Sequence, residues 1–134
     1  MTSTLLDTED YSYYAVLMAG LLPYLFVGVA KFGTGRSYNN HDPRAFLETV
    51  EGKHKRAHNA QLNSFEALPL FAAGVIIAHR SIGVEPDYLT LNALSWGFVT
   101  LRLAYGWAYI TDRASLRSVI WFLGLATSAA LYFV

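Results

Sequence analysis

The stretch that decides the fold is residues 13–32, which read YYAVLMAGLLPYLFVGVAKF and carry a single charge, Lys31. A helix of about 20 apolar residues is long enough to cross the hydrocarbon core of a bilayer. A surface helix of a soluble protein would show a polar face that returns every turn, and this stretch has none. The sequence therefore predicts a transmembrane helix, in which Pro23 is tolerated as it is in other membrane helices.

Three further apolar stretches extend this prediction to the whole chain. Of the 134 residues, 54% are hydrophobic and only 15% are charged, whereas about a quarter of a soluble domain is usually charged. The apolar stretches cover residues 60–79, 88–110 and 115–134, and segments with turn residues separate them. We predict an all-α integral membrane protein, a four-helix bundle that forms one domain over residues 1–134. The alternative is a soluble helical bundle, which the uniformly apolar first and last stretches disfavour.

The basic residues are concentrated in two of the predicted loops. Eight of the ten lie in or beside the first and third loops: Lys31, Arg36, Arg44, Lys53, Lys55, Arg56, Arg113 and Arg117. The positive-inside rule then predicts that both loops face the cytoplasm, with both termini on the other side of an inner membrane. The first stretch is preceded by Asp7, Glu9 and Asp10 rather than by basic residues, so we expect it to be a retained helix and not a cleaved signal.

Several classes of function are disfavoured by composition and motifs. The formal net charge is zero, which gives no indication of nucleic-acid binding. The chain has no cysteine, so any thiol chemistry would use the thiol of a substrate. The four histidines lack the spacing of a metal site, and no phosphate-binding loop follows residues 33–35. Ser64 and Ser81 lack the context of a nucleophile elbow.

Polar residues inside the second stretch need an explanation. Asn59, Asn63 and Glu66 are spaced i, i+4, i+7 and share one helix face. An ionisable group such as Glu66 within an apolar span is expensive and normally has both a partner and a role. The other charge within a span is Arg102. We therefore predict a Glu66–Arg102 ion pair, which can be structural, functional or both.

The third stretch repeats this pattern. Arg102, Tyr105 and Tyr109 are spaced i, i+3, i+7, and Arg113 and Arg117 continue the line beyond the membrane boundary. Tyr109 can also be read as part of an interfacial aromatic belt. Together with the second stretch, these side chains predict a polar pocket at the cytoplasmic end. Because arginines bind carboxylates and a carboxylate binds an ammonium group, the pocket suits a small zwitterion with more acid than amine groups.

Residues 56–71, RAHNAQLNSFEALPLF, resemble the signature of the MAPEG superfamily, the membrane-associated proteins of eicosanoid and glutathione metabolism. Residues 102–109, RLAYGWAY, are similar to the third-helix pattern of that family, and residues 38–44, YNNHDPR, resemble its bacterial branch. The resemblance extends over residues 13–134. It implies four membrane helices, a homotrimer in the lipid bilayer, and glutathione as a co-substrate that binds between neighbouring subunits at the cytosolic end.

The resemblance also implies roles for individual residues. Typical members conjugate glutathione to lipophilic electrophiles or reduce lipid hydroperoxides, as transferases or peroxidases. The positions that match or adjoin the glutathione contacts of the family are Arg56, Asn59, Asn63, Glu66, Tyr105 and Tyr109. Arg102 matches the arginine that pairs with the buried glutamate. Arg117 matches the arginine that holds the thiolate, and Arg113 is the alternative candidate.

Two features depart from the family pattern. The spacing from Tyr109 to Arg117 is one residue longer than in some eukaryotic members, which makes Arg113 the alternative for the thiolate role. The other departure is at residue 59. Many members have an arginine where this chain has Asn59, although Arg56 lies one turn earlier and could reach the same ligand. This departure supports a second hypothesis, a non-catalytic protein on the same scaffold, such as an accessory subunit of a larger membrane complex. A transporter or channel is a third hypothesis, but the sequence shows no inverted repeat and offers only the Glu66–Arg102 pair as a relay.

Overall fold

A computed structural model of the chain describes residues 9–80 and 84–134. Within these ranges all of the regular secondary structure is helical, which confirms the all-α prediction. The helices are α1 (Ser12–Lys31), α2 (Pro43–Thr49), α3 (Gly52–Ala78), α4 (Tyr88–Ile110) and α5 (Ala114–Ala130), and a 3-10 turn (Leu131–Phe133) follows α5. Asp7, which precedes the first apolar stretch, and Ser81, which was considered as a nucleophile, lie outside the described residues.

The four long helices lie close to the predicted apolar stretches. Helix α4 has the predicted bounds, and α1 is displaced by one residue. Helix α3 begins at Gly52, ahead of the predicted start at residue 60, because the polar residues before the apolar part are helical as well. In the described residues three helical segments are long and apolar enough to cross a membrane, namely Ser12–Lys31, Gly52–Ala78 and Ala114–Phe133. Helix α4 has 23 residues, but it is not one of these three.

Helices α3 and α4 form the centre of the bundle. Helix α3 packs against α1, α4 and α5, and α4 packs against α1 and α5, whereas α1 and α5 do not pack against each other in the described residues. Between the central helices the rings of Phe71 and Phe98 stack with centroids 4.0 Å apart. The outer faces expose large apolar side chains such as Leu17, Tyr24 and Phe122. Such a surface suits a protein whose neighbours are lipids or other apolar helices.

The long helices alternate in direction, so the first and third loops lie at the same end. The His54 Nδ1 atom is 2.7 Å from the carbonyl oxygen of Val29, which joins the start of α3 to the end of α1. The Arg56 Nε atom donates to the carbonyl oxygen of Ile110 at 3.1 Å, which joins α3 to the end of α4. We call this the basic end, because the eight basic residues of the two loops lie there.

The short helix α2 was not predicted from the sequence, although its start signal is present. The Asp42 carboxylate accepts a hydrogen bond from the Ala45 amide at 3.1 Å, and Pro43 occupies the first position of the helix. This combination is a common helix N-terminus. Phe46 and Leu47 are buried, so α2 packs the first loop against the bundle at the basic end.

A tight turn joins α4 to α5. Asp112 has a positive φ of 62°, and the Arg113 amide donates to the carbonyl oxygen of Ala108 at 2.8 Å. The Asp112 amide donates to the carbonyl oxygen of Tyr109 at 3.1 Å. This is the hydrogen-bond pattern of a Schellman motif, with aspartate in the left-handed position that glycine usually takes. As a result α5 begins beside the end of α4 and runs back along it.

At the end opposite the basic end, a polar cluster ties α1 to α3. The His79 Nε2 atom lies 2.7 Å from Asp10 Oδ2. In the described part of the chain this is the one contact between a basic and an acidic side chain at salt-bridge distance, and it is an ion pair when His79 is protonated. The Ser12 hydroxyl donates to Asp10 Oδ1 at 2.6 Å. The second ring nitrogen of His79 lies 2.7 Å from the carbonyl oxygen of Val75. Each polar group of the cluster therefore has a partner.

The contact between α1 and α4 depends on a missing side chain at Gly106. A Cβ atom at this position would overlap the ring of Phe26, which is only 4% exposed and has little room to move. We expect Gly106→Ala to destabilise the bundle by about 1–3 kcal/mol through overpacking, although alanine is the better helix former. Thermal unfolding in detergent measures this loss.

Gly97→Ala in the same helix is the matched control, because no neighbouring atom lies within 4 Å of an added Cβ there. That variant should unfold at or above the wild-type temperature. Adding Phe26→Leu to Gly106→Ala should recover part of the loss. Equal melting temperatures for Gly106→Ala and wild type would show that the close contact between residue 106 and the Phe26 ring does not restrict the side chain at this position.

The Asp10 cluster predicts acid sensitivity. Burial alone would raise the pKa of Asp10, but hydrogen bonds from the Ser12 hydroxyl and amide and the contact with His79 outweigh it and hold the pKa below its ordinary value. A depressed pKa contributes stability that is present above the unfolded value of about 3.9 and is lost as the pH falls through the folded value. Asp10→Asn should therefore lower the melting temperature near neutral pH, and the difference from wild type should shrink below about pH 4.

The measurement is the melting temperature in detergent across this pH range. Glu85→Gln serves as the control, because Glu85 is exposed and its loss should change the melting temperature little at any pH. A difference between Asp10→Asn and wild type that stays constant from neutral to acid pH would contradict the assignment.

Candidate functional site

The site is organised around Arg102, whose side chain points from α4 toward α3. Arg102 is only 4% exposed. Its Nη2 atom donates to Asn63 Oδ1 at 2.9 Å and to Ser64 Oγ at 3.2 Å. The guanidinium carbon also lies 4.1 Å from the ring centroid of Tyr105. Because a buried charge is costly unless it is hydrogen-bonded, these contacts hold α3 and α4 in a defined orientation.

The predicted ion pair between Glu66 and Arg102 is replaced by an indirect link. In the part of the chain that the structure describes, no ion pair joins these two residues. Instead the Asn63 amide nitrogen donates to Glu66 Oε2 at 3.3 Å, while its oxygen accepts from Arg102. Asn63 lies nearly one turn before Glu66 on the same face of α3, so its amide bridges the two charges. The structure therefore places the Asn63 amide between the two charged residues that the sequence predicted to pair directly.

Two adjoining cavities lie where α3, α4 and α5 meet. The first, which we call the basic-end cavity, has a volume of about 220 Å³ and is lined by Asn63, Tyr105, Tyr109, Arg117, Ser118, Trp121 and Phe122. The second, the inner cavity, has about 150 Å³ and is lined by Asn63, Glu66, Ala67, Leu70, Phe98, Arg102, Trp121, Leu125 and Ser128. Asn63 and Trp121 line both, so ligands in the two cavities would lie side by side.

The two candidate arginines for the thiolate role are in different places. Arg117 is half-buried and lines the basic-end cavity, with its guanidinium carbon 4.5 Å from the ring centroid of Tyr109. The rings of Tyr109 and Tyr105 are 5.7 Å apart in an edge-to-face arrangement. Arg113 is exposed and lies 4.9 Å from the ring of Trp107, and it lines neither cavity.

Two other predicted ligands also lie away from the cavities. The Arg56 side chain donates to the carbonyl oxygen of Ile110 at the end of α4. Arg56 and Asn59 line neither cavity. The structure thus brings together six of the nine predicted residues, Asn63, Glu66, Arg102, Tyr105, Tyr109 and Arg117, and leaves Arg56, Asn59 and Arg113 outside.

Helix α5 supplies lining residues that the sequence reasoning missed. Trp121, Leu125 and Ser128 follow Arg117 at spacings of four, eight and eleven residues, which places them on one helix face. This periodicity was visible in the sequence. It was overlooked because the last stretch was read only as an apolar span, in which a tryptophan and a serine need no special explanation.

The charge distribution determines what the cavities can bind. The basic-end cavity offers the Arg117 cation, two tyrosine hydroxyls and the Asn63 amide. Such a set favours an anionic or acid-rich ligand. The Glu66 carboxylate on the adjoining wall is the acceptor for an ammonium group. No group of acidic residues and histidines suited to a metal ion occurs in the described ranges.

The family comparison agrees with this architecture. The model of the MAPEG family matches residues 11–134, a range that contains all the described helices and every residue that lines the two cavities. No curated protein and no solved structure matches the chain. Because the match covers nearly the full length and the described residues are entirely helical, the chain belongs to the MAPEG family of membrane proteins.

Proposed function

We propose that the protein is a glutathione-dependent membrane transferase or peroxidase that acts on lipophilic electrophiles or hydroperoxides. The observation that carries this proposal is the position of Arg117, which shares the basic-end cavity with Tyr105, Tyr109 and Asn63. Glutathione is a small acid-rich zwitterion with its own thiol, and the cationic and hydroxyl lining suits it. Membership of the MAPEG family supports the same ligand, and the chain itself has no cysteine.

Each residue has a distinct part in this proposal. The thiol of bound glutathione supplies the nucleophile or reductant. A cation beside a thiol lowers the thiol pKa, so we assign the stabilisation of the thiolate to Arg117. Tyr105, Tyr109 and Asn63 hydrogen-bond the polar groups of the ligand, and Glu66 holds its ammonium. Arg102 acts as a positioning residue, because it holds the Asn63 amide in place.

The size of the basic-end cavity supports a homotrimer. Its volume of about 220 Å³ is below the roughly 300 Å³ of the smallest typical ligand pockets, so one chain would supply only part of the site. A neighbouring subunit would complete it. Asn59 and the terminal nitrogens of Arg56, whose hydrogen bond to Ile110 uses Nε, line neither cavity of their own chain and can contact a ligand shared between subunits. In this assembly α4 crosses the inner membrane as the third of four spans, and the basic end faces the cytoplasm.

The first test concerns the thiolate. We expect Arg117→Met to remove the ultraviolet thiolate absorbance of bound glutathione near neutral pH and to raise the apparent thiol pKa by about one unit or more, because the stabilising cation is lost. The measurement is a pH titration of thiolate absorbance on the purified protein. Arg113→Met is the matched control and should leave the titration unchanged. Loss of the absorbance only in Arg113→Met would assign the role to the other arginine.

The second test concerns binding. Glu66→Gln should weaken glutathione binding by about tenfold, since a hydrogen bond to a charged group contributes roughly 1.5–3 kcal/mol. Calorimetric titration in detergent measures the affinity. Glu48→Gln, at an exposed position in α2, should bind like wild type. If wild-type protein binds neither glutathione nor a related thiol at millimolar concentration, the proposed function is wrong.

A second candidate function is a non-catalytic accessory subunit of a larger membrane complex. The observation that favours it is the arginine deficit around the site. Asn59 stands where the family pattern has an arginine, and the Arg56 side chain is bound to Ile110 instead of facing a cavity. Copurification from native membranes with another protein at fixed stoichiometry, together with no thiol binding, would support this function over the enzyme.

A further inference from the structure

The wall of the inner cavity carries a buried guanidinium group without a directly bonded carboxylate. Arg102 lies on its wall and is only 4% exposed, yet its direct hydrogen-bond partners, Asn63 and Ser64, are neutral. In addition, its Nε atom has no hydrogen-bond partner in the described structure. Because Nε is enclosed and both hydrogen bonds come from Nη2, the other terminal nitrogen, Nη1, is the donor that can still bind an oxygen atom from the cavity.

The rest of the cavity defines the size and polarity of an occupant. Its volume is about 150 Å³, which in an apolar protein cavity is enough for a benzene ring. The side chains of Phe98 and Trp121 form apolar walls. Leu70 and Leu125 line the cavity and are each 42% exposed, so the cavity adjoins the outer apolar surface of the bundle. A ring-sized group can occupy it while a longer apolar portion extends past these leucines.

The charge balance of the walls selects the kind of polar group. Arg102 and Glu66 both line the cavity, and their formal charges cancel. A charged head group would meet one favourable and one unfavourable charge, whereas a hydroxyl can accept from a guanidinium and donate to a carboxylate. We propose that the inner cavity binds the uncharged, hydroxyl-bearing end of a lipophilic molecule of about single-ring size.

The position of the inner cavity suggests what this molecule is for. Asn63 and Trp121 line both cavities, so a molecule in the inner cavity lies next to whatever occupies the basic-end cavity. Its role as the second substrate rests on the proposed function. The binding of the molecule is independent of the proposed function, because it depends only on Arg102, Glu66 and the apolar walls of the inner cavity.

The test uses the fluorescence of Trp121. The chain has three tryptophans, and replacing Trp96 and Trp107 by phenylalanine leaves Trp121 as the only one. In this background, 4-bromobenzyl alcohol is titrated into the detergent-solubilised protein, and bromine quenching of Trp121 reports occupancy. The comparison probes are 4-bromotoluene, which lacks the hydroxyl, and 4-bromobenzoate, which is charged. Concentrations are expressed per detergent micelle, so that differences in partitioning cancel.

We expect half-maximal quenching by 4-bromobenzyl alcohol at a concentration about tenfold lower than by either comparison probe, as expected for a hydrogen bond to a charged group. Ala67→Leu places extra carbons in the cavity and should abolish this saturable quenching. Ala126→Leu is the matched control, since Ala126 is exposed on α5 and lines neither cavity, and it should behave like the parent.

Three results would overturn the proposal. Equal quenching by the alcohol and by 4-bromotoluene would show that the hydroxyl is not recognised. Preferential quenching by 4-bromobenzoate that Ala67→Leu abolishes would show that the inner cavity selects an anion, whereas quenching that survives Ala67→Leu would come from the basic-end cavity, which Trp121 also lines. Unchanged quenching in Ala67→Leu would place the probe elsewhere. Glutathione calorimetry on the same variants separates the two proposals, because Ala67 does not line the basic-end cavity and glutathione affinity should survive its replacement.

Discussion

The buried guanidinium of Arg102 is the constraint on which the arrangement of both cavities depends. An isolated charge in an apolar interior is costly, and α3 meets this cost with the Asn63 amide and the Ser64 hydroxyl, while Tyr105 stacks against it from α4. Because these two partners are consecutive residues of α3, they define the rotation of α3 relative to α4. The Asn63 amide is thereby oriented so that its other side meets Glu66.

The turn between α4 and α5 brings the third wall into position. The left-handed conformation of Asp112 reverses the chain within three residues, so that α5 runs back along α4 with Arg117 beside Tyr109. The same helix face then carries Trp121 and Ser128 toward the inner cavity. A cationic cavity and a mostly apolar one therefore share a wall.

Much of the fold was accessible from the sequence, and the exceptions have physical causes. Helices α1 and α4 were predicted almost to the residue, because long and mostly apolar stretches bounded by turn residues leave few alternatives to a helix. Helix α3 was predicted too short, since its polar first turns are helical without being apolar. Helix α2 was missed because seven residues are too few for a periodic signal, and only its Asp42-Pro43 start indicates it.

The sequence by itself determined which side chains share a face of each helix, which loops carry the basic residues, and which family the signature resembles. The first two properties follow from helical periodicity and composition alone, whereas the third rests on the resemblance of residues 56–71 and 102–109 to the family pattern. Only the tertiary structure decided that Asn63 stands between Arg102 and Glu66, that Arg117 rather than Arg113 lines the basic-end cavity, and that α5 contributes a wall. Periodicity describes one helix at a time, whereas these contacts depend on how helices rotate and slide against one another as their side chains interdigitate.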